Sequence, residues 1–179
     1  MRGTYTERSA PRTIAAMALT ATSIWVLGTA SPTAAHTPTS IKERRQHIAQ
    51  RALSQLGTRY SYGSESPRSG FDCSGLTYWT FKDHGASLAR SSIDQWGMRD
   101  NKGYKRIWNK KNLRKGDLLF WKTGSARVGH VGIFLKGTTF VHSSSSRSGV
   151  RRDSWRETDY YRQRFVGAVR VPALRTKLH

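Results

Sequence analysis

Cysteine and acidic residues are scarce in this sequence of 179 residues: it has one Cys, and eleven Asp and Glu against thirty-one Lys and Arg. A single cysteine excludes an internal disulfide bond and a cysteine-rich zinc site. The few carboxylates leave a formal net charge of +20 at pH 7. Such a charge predicts attraction to polyanions, which include nucleic acid, anionic lipid and anionic cell-wall polymers.

Long apolar runs are also missing, except near the N-terminus. No Lys, Arg, Asp or Glu occurs from Thr13 to Ser40, and an apolar stretch at 14–30 is followed by small residues. This pattern predicts a secretory signal peptide over 1–35, cleaved after Ala35 or, as second choice, after Ala30. The alternative is an uncleaved anchor helix. Since no cysteine follows the apolar run, lipid attachment at a processed N-terminus is excluded.

The remaining chain, 36–179, is long enough for a single domain, with a core expected at about 41–172. Hydrophobic residues make up 36% of the sequence, which argues against wholesale disorder. Periodicity and cap signals predict helices first and strands second. The expected helices are 40–56, 73–85 and 92–98, and the expected strands are 117–121, 130–135, 138–142 and 164–171. Their segregation predicts an α+β fold with an antiparallel sheet.

Cys73 lies in the segment Gly-Phe-Asp-Cys-Ser-Gly-Leu, at a predicted junction of loop and helix. The first turn of a helix presents free N–H groups and the positive end of the helix dipole, which favour a thiolate. The small residues Ser74 and Gly75 leave room for a substrate backbone. Cys73 is therefore a candidate nucleophile, and the alternative is a buried cysteine acting as a small apolar side chain.

A cysteine nucleophile needs a base, and two of the six histidines lie on the strands of one predicted hairpin. A three-residue turn at 135–137 would pair His130 directly with His142, so that one imidazole could orient the other. A two-residue turn would put them on opposite faces of the sheet. The other four histidines are most simply surface residues: His36, His47, His84 and His179. Tyr60 and Tyr62 precede the cysteine, and a phenol there could donate to an oxyanion; ordinary packing is the alternative.

In their order and spacing, six motifs resemble the NlpC-type family of bacterial cell-wall cysteine peptidases, which are papain-like. They span nearly the whole chain after the signal: Gly-Thr-Arg-Tyr-Ser-Tyr-Gly at 57–63, Phe-Asp-Cys-Ser-Gly-Leu at 71–76, Arg-Ser-Ser-Ile-Asp-Gln at 90–95, Lys-Gly-Asp-Leu-Leu-Phe at 115–120, Gly-His-Val-Gly-Ile-Phe at 129–134 and Val-His-Ser at 141–143. This chain departs from the family pattern at Ser64, Ala89 and Lys115, outside the catalytic positions.

The resemblance implies N-terminal helices packed on a central antiparallel sheet, and it assigns roles to individual residues. Cys73 would be the nucleophile, His130 the base, His142 the residue that orients the base, and Tyr60 an oxyanion donor. Residues expected around the substrate cleft are Asp72, Ser74, Arg90, Ser92 and Gln95.

The activity implied is a thiol protease that hydrolyses peptidoglycan stem peptides, with the bond from D-γ-glutamate to meso-diaminopimelate favoured. No metal or cofactor is expected. The protein is expected to be a secreted or wall-associated monomer that binds no specific nucleic acid and, after signal cleavage, no membrane. We further hypothesise that basic residues provide adhesion to anionic wall polymers: Arg44, Arg45, Lys105, Arg106, Lys110, Lys111, Arg114 and Lys115. The alternative is a generally solvated basic surface.

Three other functions stay open from the sequence. An amidase or acyltransferase would keep Cys73 and His130 but would not cut stem peptides. A non-catalytic wall-binding module or a secreted nucleic-acid binder would not depend on the thiol.

Overall fold

A computed structural model describes residues 40–98, 103–147 and 149–172. The predicted signal peptide, its cleavage sites, His36 and His179 lie outside these residues. The helices are α1 (Ile41–Leu53), α2 (Cys73–Lys82), α3 (Ser92–Gly97), α4 (Asp159–Arg164) and a 3₁₀ turn (Lys110–Asn112). The strands are β1 (Glu65–Ser66), β2 (Gly70–Phe71), β3 (Lys105–Ile107), β4 (Leu118–Trp121), β5 (His130–Lys136), β6 (Thr139–Ser144), β7 (Gly149–Ser154) and β8 (Phe165–Arg170). None of the described helices is both long and apolar enough to span a membrane.

Helix α1 begins at the predicted cap, because Ser40 and Glu43 form a reciprocal capping box. Its apolar stripe buries Ile48, Ala49 and Ala52. The helix ends earlier than the sequence predicts, since residues 54–57 form turns and the Gly57 N–H bonds to the carbonyl of Val150 on β7.

Helix α2 begins at Cys73, as predicted, because the Asp72 carboxylate caps it by accepting the Gly75 N–H at 2.6 Å. It packs against α1 and against strands β5 and β6. The thiol at its first position is thereby held at the edge of the sheet.

A six-stranded sheet in the order β3-β8-β4-β5-β6-β7, antiparallel at every neighbouring pair, forms the second layer. The predicted α+β fold with N-terminal helices on an antiparallel sheet is therefore confirmed.

The two faces of the sheet are covered differently. The face toward α1 and α2 carries the larger apolar cluster, in which Leu76, Phe120 and Ile133 are fully buried. The opposite face carries a smaller cluster rich in aromatic rings: Leu119, Trp121, Phe134, Phe140, Trp155 and Tyr161. Tyr161 on α4 helps to close this second face.

The sequence predictions missed five helices and strands, which are β1, β2, β3, β7 and α4, and also the 3₁₀ turn. The serine-rich segment after His142 is expected to be a loop, but β6 continues through Ser144 and β7 begins at Gly149. The reason is tertiary: the hydroxyl of fully buried Ser143 donates to the carbonyl of Phe71 at 2.7 Å, which satisfies a polar side chain inside the core.

Candidate active site

The cysteine opens into a cavity of about 340 Å³. Cys73 is half-buried and unpaired. The cavity is lined by Tyr60, Cys73, Thr123, Gly129, His130, Ser144, Ser145, Ser146, Arg147, Thr158, Tyr160 and Tyr161. Three of the four residues with predicted catalytic roles, Tyr60, Cys73 and His130, thus face one space large enough to hold part of a peptide.

Burial raises the pKa of the Cys73 thiol, and the negative charge of Asp72 adds to this effect. Backbone N–H groups of Val131, Ser74 and Cys73 act in the opposite direction. The helix start does favour the thiolate, as the sequence predicts, but desolvation is larger. The free protein therefore holds a neutral thiol that a neighbouring base must deprotonate.

The two strand histidines are hydrogen-bonded to each other. Nε2 of His130 lies 2.8 Å from Nδ1 of His142, and the rings meet edge to face. His142 is fully buried, whereas His130 lies at the cavity wall.

The predicted hairpin register is wrong in detail. Ile133 pairs with Val141 and Phe134 with Phe140, so His130 and His142 are diagonal neighbours and not directly opposed. A bulge at Leu135, which precedes a turn at Gly137, produces the shift. Because the register moved by two residues, both histidines stay on the same face of the sheet.

Gly132 explains how the diagonal contact is accommodated. A Cβ at this position would lie 3.0 Å from the Val141 carbonyl oxygen and 3.2 Å from Cβ of His142. The missing side chain leaves the space that the His142 side chain needs beside β5.

Asp153 on β7 joins the site, and sequence analysis missed it. Its Oδ2 lies 3.1 Å from Nε2 of His142, and its Oδ1 accepts from Nε of Arg151 at 2.8 Å. Burial would raise the pKa of Asp153, but the hydrogen bonds from His142 and Arg151 hold it below its ordinary value. One signal was present in the sequence: Asp153 is a lone carboxylate on a basic segment that follows His142 by eleven residues.

Aromatic rings pack against both members of the histidine pair. Trp121 and Tyr161 lie against His130, and Phe140 and Tyr161 lie against His142. Burial, followed by the charge of a protonated His142, lowers the pKa of His130 to about 3. Burial also lowers the pKa of His142, although Asp153 opposes the shift. Both imidazoles are therefore neutral near pH 7.

Tyr60 lies on the cavity wall, and its backbone forms an isolated β-bridge with Phe71. Burial raises the pKa of its phenol, and electrostatic interactions with the nearby Cys73 and Asp72 raise it further. Its hydroxyl is therefore protonated, as an oxyanion donor requires. Tyr62 is 90% exposed and is not among the residues lining the cavity.

The residues predicted around the cleft form a network behind the start of α2. Arg90 donates to both carboxylate oxygens of Asp72, at 3.0 and 2.9 Å, and to the hydroxyl of Ser74 at 3.0 Å. Burial would raise the pKa of Asp72, but hydrogen bonds from Arg90, Gly75 and Gly63 lower it. This network fixes the turn that presents Cys73.

Gln95 and Ser92 are on α3. Gln95 is fully buried, and its amide donates to the carbonyls of Ser74 and Ala89 while accepting from the Thr77 hydroxyl. Ser92 is the half-buried first residue of the helix. The structure thus describes a supporting role for Gln95, and contact of this group with substrate stays a prediction.

The remaining described histidines are apart from the cavity. The sequence suggests that His47 and His84 are solvated surface residues, but both are half-buried in the structure. Burial lowers the pKa of His84. Among residues 40–98, 103–147 and 149–172, no group of three or more His, Cys, Asp or Glu side chains could hold a metal ion.

Comparison with known proteins identifies the family. The NlpC/P60 family model matches residues 57–170. The murein DD-endopeptidase MepH of Escherichia coli is 34% identical over 126 residues, which cover 69% of this chain and 45% of that protein. The γ-DL-glutamyl hydrolase of Bacillus subtilis is 32% identical over 130 residues, which cover 70% of this chain and 30% of the hydrolase.

A crystal structure of a lipoprotein-like NLP/P60 protein from Staphylococcus aureus is similar in fold. It has a TM-score of 0.62 and 30% identity, with 78% of this chain and 44% of that chain covered. The chain spans less than half the length of each of these three relatives. The protein described here belongs to the NlpC/P60 family, and the predicted family resemblance is confirmed.

Proposed function

We propose that this protein is a secreted peptidoglycan hydrolase, a cysteine endopeptidase that cleaves stem peptides through Cys73. The observation that carries the proposal is the single cavity shared by Cys73, His130 and Tyr60 in a chain of the NlpC/P60 family.

The chemistry would be acyl transfer. As the sulfur of Cys73 attacks the scissile carbonyl, His130 takes the thiol proton, and a tetrahedral oxyanion forms. The backbone N–H of Cys73 and the hydroxyl of Tyr60 would stabilise this oxyanion, and one such donor is typically worth about 10²–10³ in rate. His130 then gives its proton to the leaving amine, which leaves a thioester on Cys73. Water hydrolyses the thioester, and the thiol is restored.

The neutral thiol and the neutral imidazole favour this order of events. The pKa of Cys73 is raised and that of His130 is lowered, so a thiolate–imidazolium pair is not stable in the empty cavity. Proton transfer is expected to accompany attack, when the substrate excludes water and the oxyanion donors are engaged.

The bond cleaved is a finer part of the proposal. We favour the D-γ-glutamyl bond to meso-diaminopimelate. The γ-DL-glutamyl hydrolase of B. subtilis is consistent with a bond of that class, whereas the murein DD-endopeptidase of E. coli points to a cross-link. The fragments separate the two outcomes: cleavage at glutamate shortens the stems, and cleavage of a cross-link converts dimers into monomers.

The test is digestion of purified peptidoglycan, followed by mass spectrometry of the fragments. Cys73→Ala and His130→Gln should each abolish product formation. His47→Gln, a matched change on α1 away from the cavity, should digest at the wild-type rate. Unchanged digestion by Cys73→Ala would overturn the proposal. Cysteine-dependent release of ammonia, or transfer to an added amine, would indicate an amidase or an acyltransferase.

Adhesion to anionic wall polymers is a second part of the proposal, supported by the net charge of +20. Lys105, Lys111 and Arg114 are exposed. Arg45 is unsuited to this role, because the buried carboxylate of Asp117 holds its guanidinium at 3.1 Å. Co-sedimentation with cell walls should fall between low and high salt, and should fall further when the three exposed residues are changed to Gln. Salt-independent sedimentation would refute adhesion by charge.

Export is supported by the N-terminal sequence pattern. The expected mature protein begins at His36, which intact-mass measurement of culture-medium protein would test.

A further inference from the structure

We propose that Asp153 is a positioning residue that acts on Cys73 through both imidazoles, by fixing which nitrogen of each ring carries the proton. The proposal rests on the proposed cysteine endopeptidase activity. It adds a fourth residue to the site formed by Cys73, His130 and His142.

The Asp153 carboxylate lies at one end of this series of hydrogen bonds and can take only one role in it. The Asp153 side chain is 7% exposed, and its pKa is held below the ordinary value, so near pH 7 it is ionised and can only accept hydrogen bonds. It therefore requires a proton on Nε2 of His142, 3.1 Å away.

That proton determines the state of the next ring. Because burial keeps His142 neutral, a proton on Nε2 leaves Nδ1 as an acceptor. The nitrogen 2.8 Å from it, Nε2 of His130, must then be the donor. The lone pair of a neutral His130 is thereby left on Nδ1, which is the nitrogen available to take a proton from Cys73.

The reversed arrangement would disable the base. A proton on Nδ1 of His142 would donate to Nε2 of His130, which would then carry its own proton on Nδ1. That nitrogen could not accept the thiol proton. Without an anion at Asp153, nothing in the two-ring contact selects one arrangement over the other.

Strand pairing explains how Asp153 reaches this position. Asp153 is paired with Phe140, and Arg151 with His142, so both side chains lie on the histidine face of the sheet. Arg151 occupies the second carboxylate oxygen at 2.8 Å and leaves the first for His142. The carboxylate would also stabilise the positive charge that reaches the rings when His130 accepts a proton.

The proton positions can be tested on the wild-type protein. In ¹⁵N-histidine-labelled protein at pH 7, NMR should show both His130 and His142 protonated at Nε2, with assignments from single His→Gln variants. A proton on Nδ1 of His142 would overturn the proposal, and this measurement does not depend on any variant of Asp153 folding.

The functional test compares Asp153→Asn with Asp83→Asn, a matched change at an exposed carboxylate. Asp153→Asn should lower kcat by about 10²-fold, the size of a general-base contribution, with KM changed by less than about threefold. Alkylation of Cys73 by iodoacetamide should slow in parallel.

The pH dependence separates positioning from mere structural support. The titratable and charged groups that face the histidine pair are Cys73, Arg147, Arg151, Asp153 and Tyr161. Loss of the anion should shift the acid limb of the kcat/KM profile to lower pH, because a protonated ring pair loses its counterion. A variant with wild-type kcat, or with lower kcat but an unshifted limb and unchanged tautomers, would refute the role of Asp153. Inactivity of the wild type toward peptidoglycan would instead refute the proposed function, while leaving the tautomer and alkylation results interpretable.

Discussion

Asp117 and Asp153 are both buried carboxylates at the central sheet, but hydrogen bonds connect only Asp153 to the cavity. Asp117 is fully buried and is held by Arg45 of α1 and Arg170 of β8. Asp153 is held by Arg151 and by His142, and His142 continues to His130 at the cavity. The first cluster joins a helix to a strand and ends within the protein, whereas the second ends where a substrate would react.

This difference shows how a structural carboxylate can be separated from one that takes part in function. Both clusters bury negative charge, and both satisfy it with hydrogen bonds. Only the second includes imidazole rings, one of which lines the cavity that also holds the Cys73 thiol. Burial alone therefore does not identify a functional carboxylate. A series of hydrogen bonds that connects the carboxylate to the cavity does identify one.

The largest expected effect is on stability, at Asp117. Asp117→Ala would leave two largely buried guanidinium groups without a counterion, and breaking a buried pair costs about 3–5 kcal/mol. Asp153→Ala should cost less, about 1–3 kcal/mol, since it leaves one half-exposed Arg and a neutral imidazole. Urea unfolding measures both. Activity per folded molecule should persist in the Asp117 variant, and a larger loss of stability at Asp153 would contradict the comparison.

The next effect is the loss of stability on acidification, which should belong to the Asp153 cluster. His130 has a folded pKa of about 3, below the ordinary 6.5, so the unfolded chain binds a proton that the folded protein does not. Stability is then fully present above about pH 6.5 and falls as the pH drops toward 3.

This pH effect is measured as the urea midpoint between pH 7 and pH 4 in wild type and in His130→Gln. The variant should lose less stability over that range, because it lacks the titrating ring. His47→Gln serves as the control and should follow the wild type. Parallel curves for wild type and His130→Gln would mean that His130 is not held neutral by burial.

The smallest expected effect on stability and on kcat is that of changing Arg151. This change separates the contribution of the arginine from that of the Asp153 carboxylate. Its side chain is 36% exposed, so Arg151→Gln should cost under about 1 kcal/mol of stability. The Asp153–His142 contact can remain, and kcat should fall only a fewfold in the peptidoglycan assay. A loss as large as that expected for Asp153→Asn would mean that the arginine, and not the carboxylate, controls the ring pair.

Much of the site could be predicted from sequence, because its signals are local. Asp72, Cys73 and Gly75 form a cap, a first helical position and a small residue within four positions of one another, so the placement of the thiol at the start of α2 follows from helix capping. The two strand signals around His130 and His142 predict a hairpin, but whether both rings share one face depends on the length of the turn, and the three-residue choice is the one that places them together.

Other features depended on distant parts of the chain. Local sequence predicts a loop at Ser143 and Ser144, because their burial in β6 depends on the Phe71 carbonyl and on the presence of β7. The bulge at Leu135 changed the register without changing the face. Asp153 had no local pattern, since its function depends on pairing between β6 and β7.

The sequence by itself determined where α2 starts, that Cys73 heads it, and that a basic chain with this order of motifs has an α+β fold. Tertiary structure decided which carboxylate the histidines meet, how the strands pair, and that desolvation raises the pKa of the thiol despite the helix start. The physical reason is range: capping and alternation act over a few residues, whereas hydrogen bonding across strands and exclusion of water depend on groups that only folding brings together.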